Sequence, residues 1–130
     1  MIGYTDIDLP EWDAEIDKIP YGNDTVSTIL ATHFLEHINN IVEILQEFQR
    51  VLTPGGLVNI CVPYYKGSMA YQDLDHKHFF TENTWRVLFQ NEYYNKNKIE
   101  WKFDILLNVI IGLTEKNLCL LTQLKKRENI

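Results

Sequence analysis

Hydrophobic and polar residues alternate along this chain in blocks that predict a strand, a helix and a second strand. Val26–Phe34 is a nearly continuous β-branched and apolar run, the pattern of a strand covered on both faces. Apolar residues then recur at helical spacing, at Ile38, Ile41, Val42, Leu45, Phe48 and Leu52. Another apolar run, Leu57–Val62, is stopped by Pro63. This order predicts a right-handed βαβ unit in a parallel sheet.

Both ends of the first predicted helix have sequence signals. Asn39 or Asn40 suits the N-cap, and Asn40 with Glu43 three residues later resembles a capping box. The run Pro54-Gly55-Gly56 is expected to end the helix before the next strand. One face of the helix should therefore pack on the sheet.

A second helix and a closing hairpin are predicted further along. Thr81 or Asn83 caps the helix, whose expected buried residues are Trp85, Val87, Leu88 and Phe89. Two apolar runs, about Glu100–Ile110 and about Leu118–Leu124, flank a turn-rich segment and predict an antiparallel hairpin.

Two further segments give weaker patterns. Tyr4–Leu9 suits a short strand, and the carboxylates Glu11, Asp13, Glu15 and Asp17 after it suit a solvated loop. Tyr64–Phe79 is aromatic, polar and irregular, so we expect it to lie over one end of the sheet. We read residues 1–130 as a single α/β domain.

Charge and composition narrow the function classes. The chain has 12 Lys and Arg against 18 Asp and Glu, a net charge of −6, which disfavours nucleic acids and anionic membranes as partners. The basic run Lys125-Lys126-Arg127 is expected to be a solvated chain end. There is no leader pattern and no apolar run of about 18 residues, so we expect a cytoplasmic protein. Cys61 and Cys119 lie in apolar runs and should be reduced thiols without a disulfide.

Several separated motifs resemble the class I S-adenosylmethionine-dependent methyltransferases, of the methyltransferase type 11 branch. They are Ile19-Pro20-Tyr21, Asn23-Asp24, Leu35-Glu36-His37, Glu47, Arg50-Val51-Leu52, Pro54-Gly55-Gly56 and Val62-Pro63. A later stretch is similar to that branch at Gln72-Asp73, His76-Lys77 and Phe79-Phe80-Thr81-Glu82. The resemblance implies a truncated Rossmann-like methyltransferase sheet, mostly parallel with an antiparallel C-terminal hairpin and with helices on the faces.

The resemblance also implies a cofactor site. An acidic residue at the end of the family's second strand binds the ribose hydroxyls of S-adenosylmethionine, and Asp6 or Asp8 is placed to do so. Residues just past the next strand, Thr32 and His33, would line the methionine end of the cofactor, at the carboxyl ends of the strands.

Substrate and catalytic residues are less sharply defined. Aromatic side chains can orient a small-molecule substrate, and the candidates for such a pocket are Tyr64, Tyr65, Tyr71 and His76. No catalytic base is fixed by the sequence; His37 and His76 are the candidates, and His37 could instead only fix the loop through a hydrogen bond. Glu36 either acts chemically or favours the positive end of a helix. The Asp73–His78 stretch has metal-ligand residue types, but the resemblance explains His76 without a metal, and we assign no metal site.

The family's glycine-rich loop is missing from this sequence. No G-x-G occurs among its six glycines, and the family's first strand, which would lie beside Val26–Phe34, has no counterpart. The edge of Val26–Phe34 should then be covered by Tyr4–Leu9 or by another chain, so we expect a homodimer or a hetero-complex. Two functions follow: a methyltransferase, or its C-terminal part, with an unknown acceptor; or a non-catalytic interaction module.

Overall fold

The computed structural model describes residues 12–90, 98–112, 114 and 116–128. Its centre is a four-stranded sheet in the order β1-β2-β4-β3. The strands are β1 (Val26–Thr32), β2 (Leu52–Pro63), β3 (Phe103–Ile111) and β4 (Cys119–Lys126). The helices are α1 (Ile41–Val51), α2 (Met69–Gln72) and α3 (Thr84–Gln90), with a short 3₁₀ helix at Leu35–His37.

The predicted βαβ unit and closing hairpin are both confirmed. β1 and β2 are parallel and joined through α1, with Ile29 beside Val58 and Thr32 beside Cys61. β3 and β4 are antiparallel, and β4 also pairs antiparallel with β2. The predicted α/β sheet, with a parallel first part and an antiparallel C-terminal hairpin, is therefore what the chain forms. β1 is an edge strand of the sheet that the structure describes.

Both ends of α1 differ from the prediction. Asn40 is the N-cap residue, but its side chain makes no cap hydrogen bond and Nδ2 donates instead to the Ala14 carbonyl at 3.1 Å. The capping-box prediction is therefore wrong. The helix ends at Val51, before the Pro54-Gly55-Gly56 run, which lies inside β2 as an irregular stretch where the pairing with β1 shifts.

Gly56, inside the irregular part of β2, has no room for a side chain. A Cβ on Gly56 would lie 2.8 Å from the Thr53 carbonyl oxygen and 3.1 Å from that of Ser27. Neither backbone atom can move without disturbing the sheet, so glycine is required by the close approach of Thr53 within β2 and of Ser27 in β1.

The second helix also differs in detail. It begins at Thr84, and of its expected buried residues Trp85 is fully buried while Leu88 and Phe89 are partly buried against the core. Val87 is 38% exposed, so its predicted burial is wrong. The short helix α2 lies within the stretch predicted to be irregular. The predicted helix end at residues 91–97 and the predicted strand Tyr4–Leu9 lie outside the described residues.

The hydrophobic core lies on one side of the sheet. Val58, Ile60 and Val62 of β2 point to this side, and α1 and α3 pack there with their buried faces. On the other side, alternate residues of all four strands are more exposed; they include Leu30, Thr32, Asn59, Cys61, Leu107, Leu121 and Gln123, which line a groove of about 220 Å³. The described helices therefore cover one face of the sheet.

The C-terminal basic run is not a solvated chain end, contrary to the prediction. Lys126 belongs to β4, is only 7% exposed, and its Nζ donates to Asp24 Oδ1 at 2.8 Å and to the Leu52 carbonyl at 2.7 Å. Arg127 donates to Asp104 and to the Trp101 carbonyl. Periodicity could not reveal this pairing because Asp24 is 102 residues away in the sequence.

Arg50 joins α1 to the loop before β1. Its guanidinium donates to both carboxylate oxygens of Glu47, at 2.7 and 3.0 Å, and to the Ile19 and Tyr21 carbonyls and Asn23 Oδ1. The hydrogen bond from Arg50 holds the pKa of Glu47 below its ordinary value of 4.5. The motif residues Glu47 and Arg50 thus have a structural role.

Arg50→Ala should lower the free energy of unfolding by about 2 kcal/mol, because it removes charge-assisted bonds and leaves the largely buried Glu47 carboxylate unpaired. Since the folded pKa of Glu47 is lowered, the stabilisation is fully present above pH 4.5 and is lost as the pH falls through the folded pKa. Urea unfolding at several pH values measures both effects. Arg86→Ala, at an exposed arginine, is the control, and equal losses in the two variants would contradict this role.

None of the helices among the described residues is long and apolar enough to cross a membrane.

Candidate functional site

The candidate site lies at the carboxyl ends of β1 and β2, which meet because the two strands are parallel. Thr32 pairs with Cys61, and the His33 amide donates to the Cys61 carbonyl at 2.8 Å. His33 has φ 52°, a left-handed conformation that turns the chain sharply out of the strand. The 3₁₀ helix follows at once and carries Glu36 and His37. Open α/β sheets bind ligands at this edge.

Glu36 is the most unusual residue of this edge. It is 1% exposed, and neither of its carboxylate oxygens has a hydrogen-bond partner in the part of the chain that the structure describes. His33 Nδ1 lies 3.4 Å from Glu36 Oε2, an ion-pair distance that is too long for the geometry of a good hydrogen bond. A buried carboxylate without hydrogen bonds is costly, and such groups are concentrated at functional sites.

The loop after α2 brings a third histidine to Glu36. The Lys77 amide donates to the Glu36 carbonyl at 2.7 Å, which holds the loop against the 3₁₀ helix. His76 then lies edge-on to His37, with 4.8 Å between ring centroids. Its Nδ1 is 2.9 Å from the Ala70 carbonyl, and His37 Nδ1 is 3.0 Å from Asp75 Oδ2. The loop-fixing hydrogen bond considered for His37 is therefore present.

A thiol pair lies on the other side of His33. The ligand atoms of His33, Cys61 and Cys119 are within 4.8 Å of one another, and both cysteines are free. Burial, the neighbouring Cys119 thiol and the Glu36 carboxylate raise the pKa of Cys61 to about 11. Both thiols are free in this structure, and the raised pKa lowers the thiolate fraction of Cys61 at neutral pH.

Cys61 should react slowly with alkylating reagents. In a Cys119→Ser variant, which leaves one cysteine, we expect iodoacetamide at pH 8 to modify Cys61 more than about tenfold slower than free cysteine, because burial keeps the thiolate fraction low. Mass spectrometry of timed samples measures the rate. A rate equal to that of free cysteine, in a variant shown to be folded, would contradict the raised pKa.

The aromatic candidates occupy two places. Tyr64 is 3% exposed, donates its hydroxyl to Glu82 and contacts Tyr65 edge-on with 4.9 Å between ring centroids. Tyr71 is 57% exposed and stacks on Phe79 at 4.7 Å. Tyr65, half-exposed beside buried Tyr64, is thus the tyrosine of that pair with surface available to a ligand.

The fold brings some of the candidate residues together, and others lie outside the described residues. Thr32 and His33 lie at the strand ends beside Glu36 and His37, and His76 joins them through the loop. Asp6 and Asp8 lie outside the described residues. The burial of Glu36 and the contribution of Cys61 and Cys119 were not anticipated, although the alternation in Leu57–Val62 does place Cys61 on the face opposite Val58, Ile60 and Val62.

Comparison with known proteins shows which proteins this chain resembles. Residues 6–60 match the family model described as a methyltransferase domain. The family match is confined to residues 6–60, and the chain as a whole has a class I methyltransferase-like fold. No curated protein matches the sequence at a significant level.

Solved methyltransferases share the fold of this methyltransferase-like domain. A Haloferax volcanii protein named as a methyltransferase, in complex with the Trm112 methyltransferase activator, is 14% identical with TM-score 0.66, over 89% of this chain and 60% of its own. A Methanosarcina mazei S-adenosylmethionine-dependent methyltransferase is 16% identical with TM-score 0.58, over 85% and 64%.

The N-methyltransferase NodS from Bradyrhizobium japonicum, in complex with S-adenosyl-L-homocysteine, is 13% identical with TM-score 0.59, over 90% of this chain and 53% of its own. The methyltransferase-like domain therefore spans between about half and two thirds of each of these three chains.

Proposed function

We propose that this chain is an S-adenosylmethionine-dependent methyltransferase, or the C-terminal part of one, that uses the carboxyl ends of β1 and β2. The observation that carries the proposal is the buried, unpartnered Glu36 at this edge, in a chain whose residues 6–60 match a methyltransferase domain. Thr32 and His33 are the residues proposed to face the methionine end of the cofactor, and Asp6 or Asp8 the ribose.

The charge of the edge suits such a ligand. S-adenosylmethionine carries a positive sulfonium and a positive ammonium group. Negative charge beside the histidines of this edge comes from Glu36, Asp73 and Asp75. Exposed His33 lies beside this charge, with Nδ1 3.4 Å from the buried Glu36 carboxylate. Opposite charge in a partly desolvated site favours binding and concentrates the ligand.

The cofactor, when bound, supplies an activated methyl group, and the chain's own residues position the reactants. Methyl transfer is an in-line displacement, so holding donor and acceptor at the right distance and excluding water account for most of the acceleration. Tyr65 and His76 are proposed to contact a small-molecule acceptor, and His76 and His37 are the groups available to take its proton.

Titration of the purified chain with S-adenosylmethionine tests this function. At a hundredfold excess over the dissociation constant, cofactor binding should raise the free energy of unfolding by about 2.7 kcal/mol. His33→Asn, which keeps a residue that tolerates positive φ, should weaken binding by about tenfold through loss of the ring. His78→Gln, a histidine of the neighbouring loop, is the control. No change in stability at millimolar cofactor would rule out cofactor binding by this chain alone.

A second function is favoured by the sheet itself: an interaction module that pairs with another chain. β1 is an edge strand of the described sheet and Leu30 on its open face is 59% exposed, so backbone groups and apolar surface are both available to a second chain. The partner is proposed to be either a second copy or a different protein. The Haloferax volcanii relative, bound to an activator protein, supports the hetero-complex in particular.

Sedimentation equilibrium separates these two functions. A chain that binds cofactor and remains a monomer supports the first, while a chain that forms dimers without binding cofactor supports the second. Thr28→Pro, which removes an amide donor from the open edge of β1, should weaken a dimer formed through that edge, and Ser68→Pro in the loop before α2 is the control.

A further inference from the structure

We propose that Glu36, His37 and His76 bind a divalent transition-metal ion. One ligand atom from each of the three residues lies within 4.8 Å of the others, although they come from the 3₁₀ helix and from the loop after α2. No metal was assigned to the Asp73–His78 stretch from the sequence, because the resemblance explains His76 without one. The fold adds Glu36 and His37 to this stretch.

The buried carboxylate is the strongest sign of an ionic ligand. Glu36 is 1% exposed and both oxygens are unpartnered among the described residues, so nothing there offsets the cost of removing its charge from water except His33 at 3.4 Å. Buried charges are ordinarily paired or bound to a metal. A cation between Glu36 and the two imidazoles would satisfy this group.

Both histidines are oriented as metal ligands usually are. His37 Nδ1 is 3.0 Å from Asp75 Oδ2, and His76 Nδ1 is 2.9 Å from the Ala70 carbonyl. When Nδ1 donates to these acceptors, Nε2 of each ring carries the free lone pair. A carboxylate or carbonyl that holds the second nitrogen is the common outer shell of a metal-bound histidine.

Asp73 adds a further indication at the same ring. Its Oδ2 lies 3.7 Å from His76 Nε2, beyond hydrogen-bonding distance. When His76 Nδ1 donates to the Ala70 carbonyl, the Nε2 lone pair faces the Asp73 carboxylate across this gap. A cation between them would stabilise this arrangement, whereas a neutral group would not.

The ligand set indicates the class of metal. Two imidazoles and one carboxylate suit zinc, iron(II) or cobalt(II), whereas calcium and magnesium prefer all-oxygen sites. Three protein ligands leave at least one coordination position for water or for a ligand oxygen. Binding of the ion does not depend on the proposed methyl transfer. In the metal-bound chain, Nε2 of His37 and of His76 would hold the ion and could not also take a proton, so these rings are candidates for the base only when the metal is absent. A role of the ion in holding an acceptor oxygen would rest on the proposed methyl transfer.

The neighbouring cluster of His33, Cys61 and Cys119 is the alternative location. Both thiols are free, and among the described residues this cluster holds no buried nitrogen or oxygen atom without a hydrogen-bond partner, whereas Glu36 has two. His33 is also the most exposed of these residues, with 46% of its side chain accessible. The Glu36 cluster is therefore preferred, and spectroscopy distinguishes the two.

Cobalt(II) titration of the chelator-stripped chain, without S-adenosylmethionine, tests the site. We expect one ion per chain by equilibrium dialysis, visible ligand-field bands, and no sulfur-to-cobalt charge-transfer band. His37→Gln should weaken binding by at least about a hundredfold, and Asp75→Asn, which changes only the exposed partner of His37, by about ten- to a hundredfold. His78→Gln and Cys119→Ser should bind as the wild type does.

Three results would overturn the proposal: no uptake of cobalt, uptake that His37→Gln and Asp75→Asn leave unchanged, or a charge-transfer band that disappears in Cys119→Ser. Circular dichroism shows whether His37→Gln is folded, and Asp75→Asn provides the same test at a position that is 68% exposed. Because no cofactor is present, the result is independent of cofactor binding.

Discussion

Trp85→Ala should lower the free energy of unfolding by about 3–5 kcal/mol, the largest loss we expect from a single core substitution. Trp85 is fully buried and stacks on Phe80 with 5.4 Å between ring centroids and on Phe89 with 6.2 Å. Phe89 continues the contact to Trp101 and Phe103, so one ring links α3 to β3. Truncation would leave a large cavity where these elements meet. Urea unfolding of the two proteins measures the loss.

Trp85→Phe is the matched control for this substitution. The indole Nε1 is buried and unpartnered within the described residues, so phenylalanine removes an unsatisfied donor while it keeps an aromatic ring. We expect a loss well below that of Trp85→Ala. Equal losses in the two variants would show that the indole, rather than the filled volume and the stacking, stabilises this region.

Glu36→Leu should have the opposite sign and raise the free energy of unfolding by about 1–3 kcal/mol at neutral pH. The substitution replaces a buried carboxylate that has no hydrogen-bond partner among the described residues with an apolar side chain of similar size. A gain in stability together with a loss of ligand binding is the behaviour expected of a residue kept for function. Chemical unfolding and ligand titration of the same preparation measure both quantities.

Glu47→Leu provides the comparison for Glu36→Leu. Glu47 is also a largely buried glutamate, but it accepts hydrogen bonds from Arg50 and from the Ile19 amide. Removing it should therefore destabilise the protein. If Glu36→Leu destabilises the chain as much as Glu47→Leu, then Glu36 is a structural residue and the functional interpretation is wrong.

The sequence predicted the order of the elements because that order depends on local patterns. The continuous apolar runs of β1 and β2 and the helical spacing of α1 are properties of a few neighbouring residues, and so is the turn between β3 and β4. The predictions were wrong where a contact between residues far apart in the sequence determines the local structure. The Asn40 side chain donates to the Ala14 carbonyl and makes no cap hydrogen bond to α1, and Lys126 is buried against Asp24.

The candidate site was predictable only in part for the same reason. Position after a strand was enough to place Thr32 and His33 at the carboxyl edge, since parallel strands end together. The burial of Glu36 and its approach to His76 require the loop after α2 to fold back, where the Lys77 amide donates to the Glu36 carbonyl and Asp75 contacts His37. No spacing rule encodes a contact of this kind.

We propose that a ligand binds at the carboxyl ends of β1 and β2, as expected for a methyltransferase-like fold. Nuclear magnetic resonance titration of the isotope-labelled chain with S-adenosylmethionine tests it most directly. We expect saturable amide shifts that are largest at Thr32, His33 and Glu36. Absence of saturable shifts at millimolar cofactor, or shifts confined to the groove around Leu107 and Gln123 on the open sheet face, would contradict it.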